Sequence, residues 1–307
     1  MSTRITESMI SSSVLSDINR AGAALGETQQ RLASGKKITQ PSDDPFGTSQ
    51  AMSLRDELEG NSQYQRNVSD AVAWTNVTDT ALSKISDVVQ RVHELTVQGG
   101  SDTSGQPARN AIAQEIDQLI ESVKQEANAS YAGHYVLGGT ATTTRPYSPG
   151  TAAPPSAPDP NADDGGAIVR EIGPGVRLTV NVNASTFLGD GSDGKLLNVL
   201  RDISAHLKSG TPADADALRT TDLTNLTTQD DALSAVQAQV GAIANRLTTA
   251  QGRLQEVAET TTKLLSDTED ADMAKTMVDY STQQSVYRSA LQSGANIVQA
   301  SLLDFLK

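Results

Sequence analysis

One apolar stripe of unusual length constrains this chain more than any other feature. Ten positions between residues 233 and 264 follow one another at steps of three and four, which places them on one face of a helix. A helix over 230–265 would be roughly 50 Å long at ~1.5 Å per residue, so it needs equally long partners. We interpret the stripe as intramolecular core. It consists of Leu233, Val236, Val240, Ile243, Leu247, Ala250, Leu254, Val257, Thr261 and Leu264.

Both ends of the chain also carry an amphipathic helical pattern. The first predicted helix runs from Ile10 to Leu32 and stops before Gly35, since Gly is common just past a helix end. The last predicted helix begins near Met273, and we expect the two ends to pair. The N-terminal stripe is Val14, Ile18, Ala21, Leu25, Thr28 and Leu32; the C-terminal stripe is Met273, Met277, Tyr280, Gln284, Tyr287 and Leu291, then Ala295, Val298, Leu302 and Phe305 after a one-residue shift.

Three further helices are predicted between the ends. The second helix begins near Pro45 and continues to about Thr96, before the helix-breaking pair Gly99-Gly100. The third starts after Pro107 and ends near Ala129. A fourth carries the apolar residues of 196–207, and the long stripe follows Gly210 and Pro212.

A small β-rich insertion interrupts the helical pattern over roughly 138–191. The segment from Ile168 to Val182 holds two β-branched runs that flank Gly173-Pro174-Gly175, which is a hairpin signal. Residues 131–139 predict a turn into a short strand, and the Thr-, Pro- and Gly-rich residues 140–166 predict loop or poorly ordered chain. The simplest packing pairs the chain ends and places the insertion at the far tip.

Composition excludes several functional classes. The formal net charge of -13 disfavours nucleic acid and anionic membranes, which both need clustered Lys and Arg. No run approaches the roughly 18 apolar residues of a membrane span, and we expect no membrane insertion. The absence of Cys excludes disulfides and thiolate zinc sites. The first twenty residues lack a signal-peptide pattern, which indicates a cytoplasmic chain or one exported by another route.

No group of residues predicts catalysis or cofactor binding. Asp43 and Asp44 have the chemistry of paired catalytic or metal-binding carboxylates, but the flanking prolines favour a turn or helix-capping role. His93, His134 and His206 lack metal-ligand spacing. We therefore predict that the chain is not an enzyme and holds no cofactor or metal.

Several segments resemble the flagellin superfamily. Residues 31–51 read RLASGKKITQPSDDPFGTSQA and resemble that family's N-terminal RLSSG...DD block. Residues 90–98 read QRVHELTVQ and are similar to a helix that usually reads QRxRELAVQ, with His93 and Thr96 as departures. The prolines around the SDD, the segment YAGHYVLGGTATTTRPYS and the ending SLLDFLK resemble the members that join hook to filament more than filament-forming members.

The resemblance implies a mainly α, flagellin-like fold, in which the N- and C-terminal parts form a long coiled-coil rod and the β-rich insertion projects outward. The implied domains are 1–32 with 273–307, 33–137 with 192–272, and 138–191. It also implies a secreted structural subunit of the bacterial flagellum, forming the layer between hook and filament. The implied partners are the first hook-associated protein, filament flagellin, copies of itself and a flagellar export chaperone. Export would use the flagellar type III apparatus.

Two sets of residues are predicted to serve this function. The terminal helices alone are marginal in water, so we hypothesise that they are disordered in the monomer and fold on assembly. On this view, replacing Val298, Leu302 and Phe305 by Ala abolishes incorporation. The predicted assembly interface is Val14, Ile18, Leu25, Leu32, Met277, Tyr280, Tyr287, Leu291, Val298, Leu302 and Phe305; the predicted rod motif is Asp43, Asp44, Gln90, Arg91, Glu94 and Leu95.

Two alternative functions stay open at this point. A filament flagellin shares the terminal helices and the rod with a junction subunit. A cytosolic coiled-coil scaffold accounts for the heptads, though not for a β insertion bracketed by helices.

Overall fold

The computed structural model describes the backbone of residues 7–102, 104–148 and 161–305, and the side chains of 9, 12–102, 104–148 and 161–295. The described chain is mainly helical, as predicted, with two small antiparallel sheets and one 3-10 turn at Ala184–Thr186. The helices are α1 Glu7–Ser34, α2 Pro45–Gly99, α3 Gln106–Ala127, α4 Leu196–Ser209, α5 Pro212–Arg219, α6 Thr221–Glu269 and α7 Met273–Phe305; the strands are β1 Ser130–Tyr131, β2 His134–Tyr135, β3 Val169–Gly173 and β4 Val176–Thr179.

The chain forms two compact units. The terminal unit comprises Met1–Gly60 with Val257–Lys307, and the central unit comprises Asn61–Glu256. Helices α2 and α6 each contribute residues to both units. The three-part division drawn from the sequence stays a prediction.

Local sequence signals fix the helix ends close to where they were predicted. Pro45 opens α2, where its missing N–H costs no hydrogen bond, and α2 ends at Gly99. Helix α6 is 49 residues long, which confirms the long rod predicted from the apolar stripe. The sequence did not predict α5, an eight-residue helix, because it is too short to show a periodic stripe. Its N-cap is Thr211, whose side chain accepts a hydrogen bond from the N–H of Asp214.

The central unit contains the large buried hydrophobic residues of the described chain. One cluster joins the second halves of α2 and α3 to α4 and the start of α6. Burial of each such side chain stabilises the fold by about 1.5–3 kcal/mol, so this cluster dominates the stability of the unit. Its fully buried members include Leu82, Ile85, Ile116, Leu197 and Leu200.

The β3–β4 hairpin packs against the helices rather than extending from their far ends. Its turn is Pro174-Gly175, and Arg170 pairs with Leu178 in the register. Ile172, Leu178 and Val180 share a second buried cluster with residues of α2 and α6. A two-stranded hairpin is marginal by itself, so this apolar face has to be covered.

Polar contacts set the position of the hairpin along α2. The side-chain amide of Asn67 donates to the Glu171 carbonyl at 2.9 Å, and Arg170 forms an ion pair with Asp70 at 3.1 Å. At the opposite end of the central unit, Gly100 of the loop after α2 accepts a hydrogen bond from Arg219 at 2.6 Å. The prediction that the insertion lies at the far tip is therefore wrong for the hairpin, while the expectation that it projects outward stays a prediction.

The rest of the insertion is irregular where it is described. Residues 130–135 form the β1–β2 hairpin, a small variation on the predicted turn and strand. Asn128 fixes the following loop, since its side chain accepts from the Tyr147 N–H at 2.9 Å and donates to the Tyr147 carbonyl at 2.8 Å. Of the predicted loop 140–166, residues 149–160 lie outside the described residues.

The long stripe of α6 is buried over most of its length. The positions from Leu233 to Leu254 are buried or half-buried in the central unit. Val257 and Leu264 are exposed, so the prediction of intramolecular core is wrong for these two positions. Both belong to the terminal unit, which has little apolar surface to cover them. None of the described helices is long and apolar enough to cross a membrane.

Candidate assembly surfaces

The terminal unit leaves its large apolar side chains uncovered. The buried hydrophobic residues among its described side chains are only two alanines, Ala21 and Ala51. The exposed large hydrophobic side chains of the described chain all lie in this unit, except Val97 and Val169. The eleven in the terminal unit are Met9, Leu15, Phe46, Met52, Val257, Leu264, Met273, Met277, Val278, Val286 and Leu291.

Helices α1 and α7 pack against each other and run antiparallel. Gly22 of α1 lies against the ring of Tyr287, which would be 3.3 Å from a Cβ at that glycine. Gly294, further along α7, lies against the earlier residues Val14 and Ile18 of α1. The expectation that the two ends of the chain pair is therefore confirmed.

The α1 side of this pairing follows the predicted stripe. Val14, Ile18, Leu25 and Leu32 are half-buried, and Ala21 is buried on the same face. These residues are therefore used within one copy of the chain. Their predicted role as contacts between copies stays a prediction.

On α7, the face covered by α1 is offset by about one residue from the predicted stripe. Its least exposed positions recur at steps of four and three, which places them on one side of the helix. This face includes the predicted Tyr280 and Tyr287, both half-buried. Met277 and Leu291 lie beside it and are 64% and 43% exposed. The covered positions on this face are Thr276, Tyr280, Gln283, Tyr287, Ala290 and Gly294, and Gln284 of the predicted stripe is half-buried beside them.

Part of the predicted α7 stripe therefore lies outside the seam with α1. Met273, Met277 and Leu291 share one flank of the helix and are all exposed. Small and polar residues such as Thr276 and Gly294 form the seam, so periodic large apolar residues alone did not reveal it. The side chains of Val298, Leu302 and Phe305 lie outside the described residues, although α7 extends to Phe305.

The turn between α1 and α2 is ordered by its two adjacent aspartates. The Asp43 carboxylate accepts hydrogen bonds from the N–H and hydroxyl of Thr39 and from the N–H of Gln40, at 2.9–3.0 Å. The backbone and side-chain hydrogen bonds from Thr39, followed by that from Gln40, lower the pKa of Asp43 from 3.8 to about 2. The Asp44 carboxylate caps α2, accepting from the N–H of Phe46 at 3.1 Å and of Gly47 at 2.9 Å. The predicted turn and capping roles are confirmed.

A buried carboxylate ties this turn to the end of α6. Glu269 is buried, and its carboxylate pairs with Lys36 at 2.6 Å and with Arg55 of α2. The backbone N–H of Lys37 donates to the Glu269 carbonyl at 2.7 Å, and that of Ala271 to the Gly35 carbonyl at 2.8 Å. The two segments that lead into and out of the α1–α7 pair are thus held together. The sequence did not suggest this cluster, because its members are more than 200 positions apart.

The residues of the predicted rod motif that lie in the central unit are partly buried and partly exposed. Leu95 is buried in the main cluster, while Gln90 is exposed beside a cavity of about 390 Å³. Arg91 donates to Glu115 of α3 at 2.8 Å and to Glu94 at 3.0 Å. Hydrogen bonding to Glu115 is the main cause of the raised pKa of Arg91. Arg91 therefore joins α2 to α3.

The described residues contain no group of three His, Asp or Glu side chains arranged to hold a metal ion. The aspartates singled out in the sequence, Asp43 and Asp44, are occupied by the hydrogen bonds of the turn.

Two family profiles match this chain. The bacterial flagellin N-terminal helical region matches residues 5–142, and the bacterial flagellin C-terminal helical region matches residues 223–306. The chain belongs to the flagellin family. It is a structural protein of the flagellum, which confirms the resemblance seen in its motifs and sets aside the cytosolic scaffold.

Individual relatives match this chain over most of its length. The flagellar filament 31.3 kDa core protein of Treponema maltophilum is 26% identical over 307 residues, covering 97% of each chain. A Vibrio parahaemolyticus structure, described as a flagellar hook-associated protein, has a TM-score of 0.64 and 21% identity, and covers 74% of this chain and 100% of its own. The flagellar junction protein FlgL of Legionella pneumophila has a TM-score of 0.58 and 13% identity, and covers 72% and 99%. The structural matches show a shared fold and confirm the predicted fold class.

The close approach at Gly294 predicts that a side chain there weakens the α1–α7 pair. A Cβ at Gly294 would lie 2.8 Å from Cδ1 of Ile18 and 3.2 Å from Cγ1 of Val14, so Gly294→Val overpacks the seam. We expect a loss of about 1–3 kcal/mol in the stability of the terminal helices in the assembled protein, followed by circular dichroism during thermal melting. Gly26→Val is the matched control, because a Cβ at Gly26 meets nothing within 4 Å. Equal effects of the two substitutions would contradict this packing.

The hydrogen bonds to Asp43 predict a pH-dependent turn. A pKa lowered to about 2 in the folded chain means that the carboxylate stabilises the turn above pH about 4. This contribution is lost as the pH falls through about 2. An NMR titration of the Thr39 and Gln40 amides should show a midpoint near 2, and Asp43→Asn should remove it. A midpoint near the ordinary value of 3.8 would show that these hydrogen bonds do not form.

Proposed function

We propose that this chain is the subunit of the junction layer between the flagellar hook and filament. The observation that carries the proposal is the terminal unit, whose described large hydrophobic side chains are half-buried or exposed and never fully buried. A monomer gains little from folding such a unit, since burial of each large side chain is worth about 1.5–3 kcal/mol. Neighbouring subunits supply the missing apolar surface, so the unit is completed by assembly.

The residues proposed to contact neighbours fall into two groups. Met277 and Leu291 are exposed on the flank of α7, beside the seam with α1. Val14, Ile18, Leu25, Leu32, Tyr280 and Tyr287 are only half-buried by that seam, and their remaining surface is available to other subunits. Val298, Leu302 and Phe305 continue the helix and complete the proposed interface.

A terminal unit that folds only against neighbouring subunits keeps the subunits from associating before export. The seam leaves the apolar stripe of α1 only half-buried, because α7 meets it in part with small and polar residues such as Thr276 and Gly294. We expect the two helices to be largely disordered in dilute monomer and ordered in the assembled layer. An export chaperone that holds the C-terminal helix would protect the apolar flank of α7 in the cytoplasm.

Three sequence features support the junction position over the filament. Pro41 and Pro45 bracket the turn, YVLGGT follows the third helix, and SLLDFLK ends the chain. The shared fold with a hook-associated protein and a junction protein agrees with this choice. The proposed partners are the first hook-associated protein, filament flagellin and other copies of this chain, outside the cell.

A filament subunit is the second candidate function. It is favoured by the relative named as a filament core protein, which matches nearly the whole chain. The shared terminal helices serve either function, so the fold does not separate the two.

The location of the protein on the flagellum distinguishes a junction subunit from a filament subunit. Gold-labelled antibody against the native chain should mark a single narrow band where hook meets filament. Deleting its gene should leave hooks without filaments while flagellin is released into the medium. Label along the full length of the filament would overturn the junction position and establish the filament function.

Exposed residues on α7 provide a direct test of the assembly surface. Met277→Ala with Leu291→Ala removes two side chains that are exposed in one copy, so the fold of the chain should be unchanged. If neighbours bury both, incorporation into flagella should fall roughly tenfold or more. Val97→Ala with Val169→Ala is the matched control, since both residues are exposed in the central unit. Normal incorporation of the Met277 and Leu291 variant would rule out this flank as a contact.

A further inference from the structure

Phe46 is a fixed apolar projection at the start of α2. It is 80% exposed, more than any other large hydrophobic side chain described in the chain. Its backbone is not free to move, because its N–H donates to the capping carboxylate of Asp44 and Pro45 precedes it. An exposed aromatic side chain on an ordered backbone is the kind of residue that is enriched in protein interfaces.

A cavity of matching chemistry lies on the other side of the same helix. It has a volume of about 460 Å³ and is lined by Ile38, Ala51, Met52 and Arg55, with Lys36 and Glu269 at one end. At about 100° per residue, Ala51, Met52 and Arg55 point roughly 140–240° away from Phe46 around α2. The projection and the cavity are therefore back to back within one copy, and Phe46 cannot fill its own cavity.

We propose that Phe46 of one copy docks into this cavity of a second copy. The occupant is argued from complementarity: Ile38, Ala51 and Met52 offer apolar contact to the ring, and the partly exposed guanidinium of Arg55 offers a cation–π contact. The proposal rests on the proposed function only in that the chain assembles with itself.

The back-to-back placement determines the kind of assembly. A projection on one side and its cavity on the other give a head-to-tail contact, in which each copy offers the next the same pair of surfaces. Such a contact repeats into a ring or a helical layer rather than closing as a two-fold dimer. Glu269 neutralises one of the two cations at the cavity, so no second acidic group is required from the neighbour.

Disulfide trapping between two single-cysteine variants tests the proposal. The chain has no Cys, so Gln50→Cys and Met52→Cys each carry one thiol. Gln50 is exposed one turn of α2 after Phe46, so a thiol there reports on the contact while the docking ring is kept. The purified full-length variants are mixed at high concentration and oxidised. We expect at least about tenfold more mixed dimer than from Gln50→Cys with Val169→Cys, whose second thiol is on an exposed site of the central unit. Trapped product accumulates, so even weak association is detected.

The double variant Gln50→Cys with Met52→Cys, which keeps Phe46, shows whether the contact is head-to-tail. The two positions project from opposite sides of α2, so their Cβ vectors point apart and no disulfide forms within one copy. We expect a ladder of dimers, trimers and larger species. Mixed dimer no more abundant than in the control, or a dimer without a ladder, would overturn the docking. The gold labelling described above would be unaffected, so failure of the docking would not contradict the proposed function.

Discussion

The packing of α1 against α7 is the contact on which the order of the terminal unit depends. It joins the two ends of the chain, and the apolar stripe of α1 meets a face of α7 that carries Thr276 and Gly294 where a stable coiled coil would use large apolar residues. Close approach at Gly22 and Gly294 gives shape complementarity. The α7 side of the pair therefore buries little large apolar surface.

The two units divide stability and assembly between them. The central unit buries Leu82, Ile116 and Leu200 in one cluster and covers the β3–β4 hairpin in another, so it has the core of an ordinary stable domain. The terminal unit buries alanines and leaves methionine, leucine and phenylalanine exposed. Both clusters lie within the central unit, so its core does not depend on burial in the terminal unit.

Periodicity predicted the helices because a 3.6-residue repeat of apolar residues survives wherever a long helix has one buried face. It failed at α7, where large residues such as Met277 mark an uncovered flank and the covered face carries Thr276 and Gly294. It also misplaced the hairpin, since Ile172 and Val180 show that one face is buried but not which helices bury it. The Glu269 cluster and the cavity beside it depend on residues far apart in the chain, for which one sequence offers no signal.

The turn between α1 and α2 shows why the segment resembling the flagellin N-terminal block is rich in charged residues. Asp43 and Asp44 use their carboxylates on the local backbone, while Lys36 and Arg55 meet the buried Glu269 of α6. The acidic pair therefore fixes the shape of the turn, and the buried acid fixes its position. A turn held in both ways fixes the backbone from which the exposed side chain of Phe46 projects.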